Sequence, residues 1–176
     1  MSRFPTHAFE DAPEASRPLL QNIAQSSPTE RPLNAHAQMA HSPAVLAAYA
    51  ALRAVIAEYG TLDTKVSWAL NLATAATVGN DYMIGIASRF ARMNGWTEAQ
   101  IAALRAGTTT GDTNIDALTS VIREAAANSG NVTDVTWKAA QLGGWSDAQL
   151  AEAFTQLGLT VFTGYFLNYA QTEKDI

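Results

Sequence analysis

One heptapeptide occurs twice in this chain. Gly95-Trp96-Thr97-Glu98-Ala99-Gln100-Ile101 returns as Gly144-Trp145-Ser146-Asp147-Ala148-Gln149-Leu150. In each copy glycine can end one helix in the left-handed conformation. The Thr or Ser hydroxyl then caps the next helix, and the Gln three residues on completes a capping box. Trp96 and Trp145 stand just before the caps, where a staple side chain packs. The chain therefore turns two related helix-turn-helix corners. Two copies are fewer than the three that a solenoid array needs.

The rest of the pattern agrees with helices. Ser42-Pro43 places a cap before a proline at the first helical position. Val45, Tyr49, Leu52, Val55 and Ile56 then recur at three- and four-residue spacing until Gly60. Asp63 caps a helix carrying Val66, Ala69, Leu70 and Ala73, which Gly79 interrupts. A helix from Asn80 to Met93 shows Tyr82, Ile86 and Phe90. Gly107–Thr113 reads as a polar loop, and Asn114 to Asn128 as a helix bearing Ile115, Leu118, Val121 and Ile122. Thr133 or Asp134 opens a short helix with Val135 and Trp137. The last helix carries Phe154, Phe162, Tyr165, Phe166 and Tyr169 as a stripe for core or subunit packing. No stretch alternates at period two, so the fold class is all-α. Residues 1–32 hold Pro5, Pro13, Pro18, Pro28 and Pro32, five of the six prolines. They read as an N-terminal arm with one helix near Pro18–Gln25, suited to packing on a neighbouring subunit. Residues 33–176 form the helical domain.

Composition excludes several functions. The net charge is −5, with basic residues scattered, which argues against nucleic acid. Charged residues make up 15% of the chain and hydrophobic residues 48%, a balance that favours oligomer interfaces. No run of 18 apolar residues is present and no apolar signal block opens the chain, so a cytoplasmic protein without a membrane span is expected. There is no cysteine. Disulfides, thiolate zinc sites and cysteine nucleophiles are excluded within this chain. His7, His36 and His41 share no helical spacing, so neither a metal site nor a cofactor is expected.

Three stretches in order carry a resemblance. They are Ala40-His41-Ser42-Pro43; Leu62-Asp63-Thr64-Lys65 with the junction Gly79-Asn80-Asp81-Tyr82-Met83; and the second heptapeptide leading to Phe162-Thr163-Gly164-Tyr165-Phe166 and Gln171-Thr172-Glu173. Together they resemble the alkyl hydroperoxidase D and carboxymuconolactone decarboxylase family over residues 33 to 175. The resemblance implies a bundle of that fold, assembled as a dimer, trimer or hexamer of itself. The family's redox members use a glutamate, a Cys-x-x-Cys pair twelve residues later and a histidine four residues after that. The helix dipole favours a thiolate at the first turn, and the glutamate and histidine move protons. Laid on this chain without a gap, those positions are Trp68, Asn80, Met83 and Ala87. None has equivalent chemistry.

Trp68 either lines a ligand pocket or fills it; Ala69, Ala73, Ala75 and Ala76 leave room for an indole and favour filling. Asn80 and Met83 either hold a ligand or, as their types favour, cap and pack the helix. Asp81, Tyr82 and Arg89 are the remaining acid–base candidates, with Tyr82 more at home packing its ring. His41 reads as structural, bonding backbone in the adjoining turn. Three functions stay open. One is a pseudoenzyme or small-ligand-binding protein without thiol peroxidase activity. Another is a non-thiol decarboxylase or lactone-processing enzyme on a small carboxylated metabolite, which needs Tyr82, Arg89 and His41 to converge. The third is a structural partner subunit of an active homologue.

Overall fold

The computed structural model describes residues 2–25 and 31–175; Pro28 of the proline-rich arm lies outside them. Among the described residues the chain forms nine α-helices and no strand. They are α1 (Arg17–Gln25), α2 (Asn34–Met39), α3 (Pro43–Tyr59), α4 (Thr64–Thr77), α5 (Asp81–Met93), α6 (Glu98–Ala106), α7 (Thr113–Ala127), α8 (Asp134–Leu142) and α9 (Asp147–Ala170). No described helix is long and apolar enough to cross a membrane. The chain divides into two compact units, residues 1–58 with 165–176, and residues 59–164.

In the unit of residues 59–164 both capping boxes form as the sequence requires. Thr97 and Gln100 exchange bonds, as do Ser146 and Gln149. The duplication reaches further than the heptapeptide. The Trp96 indole N–H donates to the Lys65 carbonyl at 2.9 Å, and the Trp145 indole to the Asn114 carbonyl at 2.7 Å, each 31 residues back. Each acceptor is the second residue of a helix capped by an aspartate. Asp63 accepts from the Lys65 amide, and Asp112 from those of Asn114 and Ile115. Cap and heptapeptide thus recur with one offset of 49 positions (63 to 112, 95 to 144). Each tryptophan ties a corner to the start of an earlier helix.

Helix α4 lies at the centre of this unit, with every residue from Ala69 to Ala75 buried. Leu70 joins a cluster with Leu118, Val121, Ile122, Leu150 and Leu157. Ala69 and Leu72 join a second one with Ala87, Ala91, Trp96, Ile101 and Leu104. A helix apolar on all sides is one that core surrounds.

In the other unit the pins are polar. The buried Gln38 amide donates to the Phe4 carbonyl at 2.7 Å and accepts from the Thr172 hydroxyl at 2.5 Å. The Arg3 amide donates to the Ala170 carbonyl, and the Ser16 hydroxyl to that of Ala40. Asp175 accepts from the Asn34 amide at the first turn of α2.

The chain breaks between α2 and α3 at Ser42-Pro43, as the cap and proline there require. Two helix faces differ from expectation in part. Of the α9 stripe, read as core or subunit packing, Phe154 is 63% exposed, Tyr165 56% and Tyr169 64%, Phe162 and Phe166 are half-buried, and Leu150, Ala153, Leu157, Thr160 and Leu167 are buried. The buried face mixes leucines with Ala153, Thr160 and Gly164. A Cβ at Gly164 would meet Val78 and Asn80 side-chain atoms at 3.4 and 3.5 Å, so a bulky face cannot approach as closely. Of the α3 stripe, Tyr49 is buried, but Leu46 takes the inner place and Val55 is 49% exposed.

The tryptophan ties are testable by urea denaturation. Trp145→Phe keeps most of the ring and loses one hydrogen bond, for an expected cost of about 1 kcal/mol. Trp96→Ala also vacates a buried site and should cost about 3–5 kcal/mol. Equal costs for the two would count against the tie.

Candidate functional site

The start of α5 is built around one side chain. Gly79 adopts φ +67°, and the Asn80 amide bonds back to the Ala75 carbonyl, ending α4. Asn80 is extended and caps α5: its Oδ1 accepts from the Met83 amide at 2.7 Å. Its Nδ2 donates to the Gly164 carbonyl on α9 at 3.1 Å. Asn80 is 3% exposed. The Met83 amide, which at a redox site would favour a thiolate, is taken by the cap.

The other positions follow the packed alternatives. Trp68 stacks on Phe90 with ring centroids 4.5 Å apart and planes 10° from parallel. It packs against the cluster that contains Ala87 and Ala91. Met83 and Tyr82 are buried, whereas Asp81 and Arg89 on the same helix are exposed. The structure thus gathers Trp68 and Ala87 in one cluster and Asn80 and Met83 in one cap. His41 belongs to the unit of residues 1–58 and 165–176. Its Nε2 does bond backbone, but that of Pro5 in the arm, at 2.9 Å, and its Nδ1 faces His7 Nε2 at 3.2 Å. The expectation of an adjoining-turn partner is corrected. Ser42-Pro43 turns the chain so that His41 faces residues 34 to 36 positions earlier.

A second constellation in the same unit was not foreseen. The Arg53 guanidinium donates to the Tyr49 hydroxyl at 3.5 Å, and that oxygen lies 3.0 Å from His36 Nε2. The Tyr49 hydroxyl thus bridges the Arg53 guanidinium and the His36 imidazole. Burial, with a contribution from Arg53, holds the His36 pKa down to about 4, against an opposing pull from Asp175. Burial likewise raises the Tyr49 pKa. Arg53 also lines a cleft of about 290 Å³ with Leu19, Asn22, Ile23, Ala50 and Ala54. A guanidinium at such a cleft offers a fork of donors to a carboxylate. Only the Tyr49–Arg53 spacing of one helical turn was readable beforehand; His36 reaches them through the break before α3.

Two measurements test these arrangements. Asn80→Ala removes the cap and the bond to the Gly164 carbonyl, at an expected cost of about 2 kcal/mol; Asn80→Asp keeps the cap and should cost less. The unfolded chain binds a proton at His36 with an ordinary pKa of about 6.5, but the folded chain only near 4. Stability should therefore fall as pH drops from about 6.5 toward 4, and His36→Gln should flatten that part of the profile of melting temperature against pH.

Residues 43–126 match the model of the carboxymuconolactone decarboxylase family. No curated protein shows significant sequence similarity. Among solved structures, the chain is similar to the alkylhydroperoxidase AhpD core of an uncharacterized peroxidase-related protein from Ralstonia eutropha JMP134, with a TM-score of 0.83 and 14% identity, covering 99% of this chain and 92% of that one. It is similar to a variant of the debrominase Bmp8 in complex with 2,3,4-tribromopyrrole, with a TM-score of 0.81 and 13% identity over 99% and 94% of the two chains. A peroxidase-related protein from Silicibacter sp. TM1040 gives a TM-score of 0.76 and 11% identity over 98% and 94%. At such identities the likeness speaks for the fold alone. Together, the sequence match over residues 43–126 and the shared fold make this chain similar to the carboxymuconolactone decarboxylase family, with the AhpD-like all-helical fold.

Proposed function

We propose that this chain is a family member without thiol peroxidase activity, a pseudoenzyme toward peroxides that binds a small ligand instead. The observation that carries the reading is Asn80. At the place the resemblance gives to the first cysteine, both ends of this side chain are engaged in holding α5 and α9. The chain has no sulfur nucleophile to replace it. Trp68, stacked on Phe90, occupies the glutamate position with a packed ring. One structure of the same fold holds a small cyclic ligand, 2,3,4-tribromopyrrole, which supports a ligand of that size class here.

The rival, non-thiol decarboxylation or lactone processing, is favoured by a different observation. The Arg53 cleft has an anion holder, and behind Arg53 the Tyr49 hydroxyl and His36 imidazole offer groups of the kind such chemistry needs. This reading points to a small carboxylated compound at Arg53. A homo-oligomer in the cytoplasm fits either one. Val135, Leu142 and Phe154 are 79%, 90% and 63% exposed, a large apolar surface for a lone chain.

Purified protein should reduce no peroxide with any thiol donor; turnover that persists through further purification would sink the proposal. Trp68→Glu with Asn80→Cys, Met83→Cys and Ala87→His should yield at least trace disulfide reductase activity if the register is right. Among small carboxylates and lactones screened by thermal shift, a binder should raise the melting temperature of the wild type and not of Arg53→Gln. Decarboxylation of that binder would decide for the rival.

A further inference from the structure

Helix α3 is more apolar than its surroundings explain. Of its seventeen residues only Arg53 and Glu58 carry charge, yet only Leu46 and Tyr49 are buried. Helix α4, with fourteen residues, buries seven. A helix apolar on all sides belongs in a core or against a partner. The open side of α3 is patterned. Ala44, Ala48, Ala51, Val55 and Glu58 are all exposed, Val55 by 49%. Their spacing of four, three, four and three is that of a helix-packing seam. Glu58 is misplaced on α3 alone. It stands in the last turn, where the helix dipole is negative and disfavours a carboxylate. Among the described residues no hydrogen bond or ion pair engages that carboxylate.

We propose that two copies of the chain join through this face of α3, with the two helices antiparallel about a two-fold axis. The proposal rests on the homo-oligomer reading above and names its surface. A two-fold contact must be self-complementary, and this seam is. With the axis midway between Ala48 and Ala51, Ala48 meets Ala51 of the second copy and Ala44 meets its Val55. Glu58 then comes level with His41, at the start of the second copy's α3, where the dipole is positive. The same contact recurs at the other end. Each carboxylate gains the electropositive helix end that its own helix withholds. Parallel pairing would set Glu58 against Glu58 instead. Arg53 lies away from the seam, in the cleft with Leu19 and Ile23, so ligand binding there is independent of the contact. A seam of about 20 Å is short for a permanent interface, which makes the dimer one of the transient class.

The test uses the full chain, whose lack of cysteine gives introduced thiols no background. Sedimentation velocity from about 1 to 100 μM should show the wild type passing from monomer to dimer. Glu58→Lys should raise the dissociation constant about tenfold at low salt and less at high salt. Ala44→Cys and Val55→Cys chains, mixed and oxidised, should give a dimer linked between those two positions. Neither variant should link to itself, because its two sulfurs would lie about 16 Å apart along the seam. Both positions are exposed, so the core is untouched. Self-linking as fast as linking in the mixture would overturn the register and the proposal with it. A dimer that forms without the mixed link would overturn this surface alone. A wild type that stays monomeric throughout would overturn the homo-oligomer reading as well.

Discussion

The burial of α4 on every side is the constraint from which the rest follows. Where the buried stretch Ala69–Ala75 ends, the Ala75 carbonyl lies in core, so the turn after it supplies a partner from the protein itself. Asn80 does this for three backbone groups at once. Its own amide closes α4, its carbonyl oxygen caps α5, and its amide nitrogen holds a carbonyl of α9. A cysteine there could accept only weakly and donate only weakly. A structural knot and a redox centre make opposed demands on one position, and this chain meets the structural one.

Much of the fold was legible because local chemistry and long-range packing agree. The caps at Asp63, Asn80, Thr97 and Thr133 were readable from residue type, and each forms. The duplicated corners were readable as well, but only as a heptapeptide; Asp63 and Asp112 look like ordinary caps until the indoles are seen reaching back to them. Helix faces were less legible. In α9 apolar residues occur all round, so periodicity cannot select a side. Close approach at Gly164 selects it, and Phe154, Tyr165 and Tyr169 turn outward.

The candidate site divides in the same way. Asn80 as a cap, and Trp68 as packing near Ala87, follow from residue type and a family register. The His36–Tyr49–Arg53 group and the His7–His41 pair do not, because each depends on a chain reversal that sequence spacing does not encode. The break at Ala40–Ser42 places His36 and His41 on separate partners, one buried and neutral, the other exposed on the arm. Of three histidines in the first quarter of the chain, His7 and His41 thus share one environment and His36 has another.

The duplicated unit is not symmetrical where it matters. The position 49 residues beyond Asn80 is Ser129, in the left-handed region at φ +54° and followed by Gly130 at φ +91°. The second copy turns loosely there and does not resume as a helix until Asp134. A buried helix start facing a neighbouring carbonyl therefore exists in the first copy alone. One half of the tandem serves as scaffold while its twin is left to diversify, and an engineer wishing to graft a new centre onto this framework would find a single socket, not a matched pair.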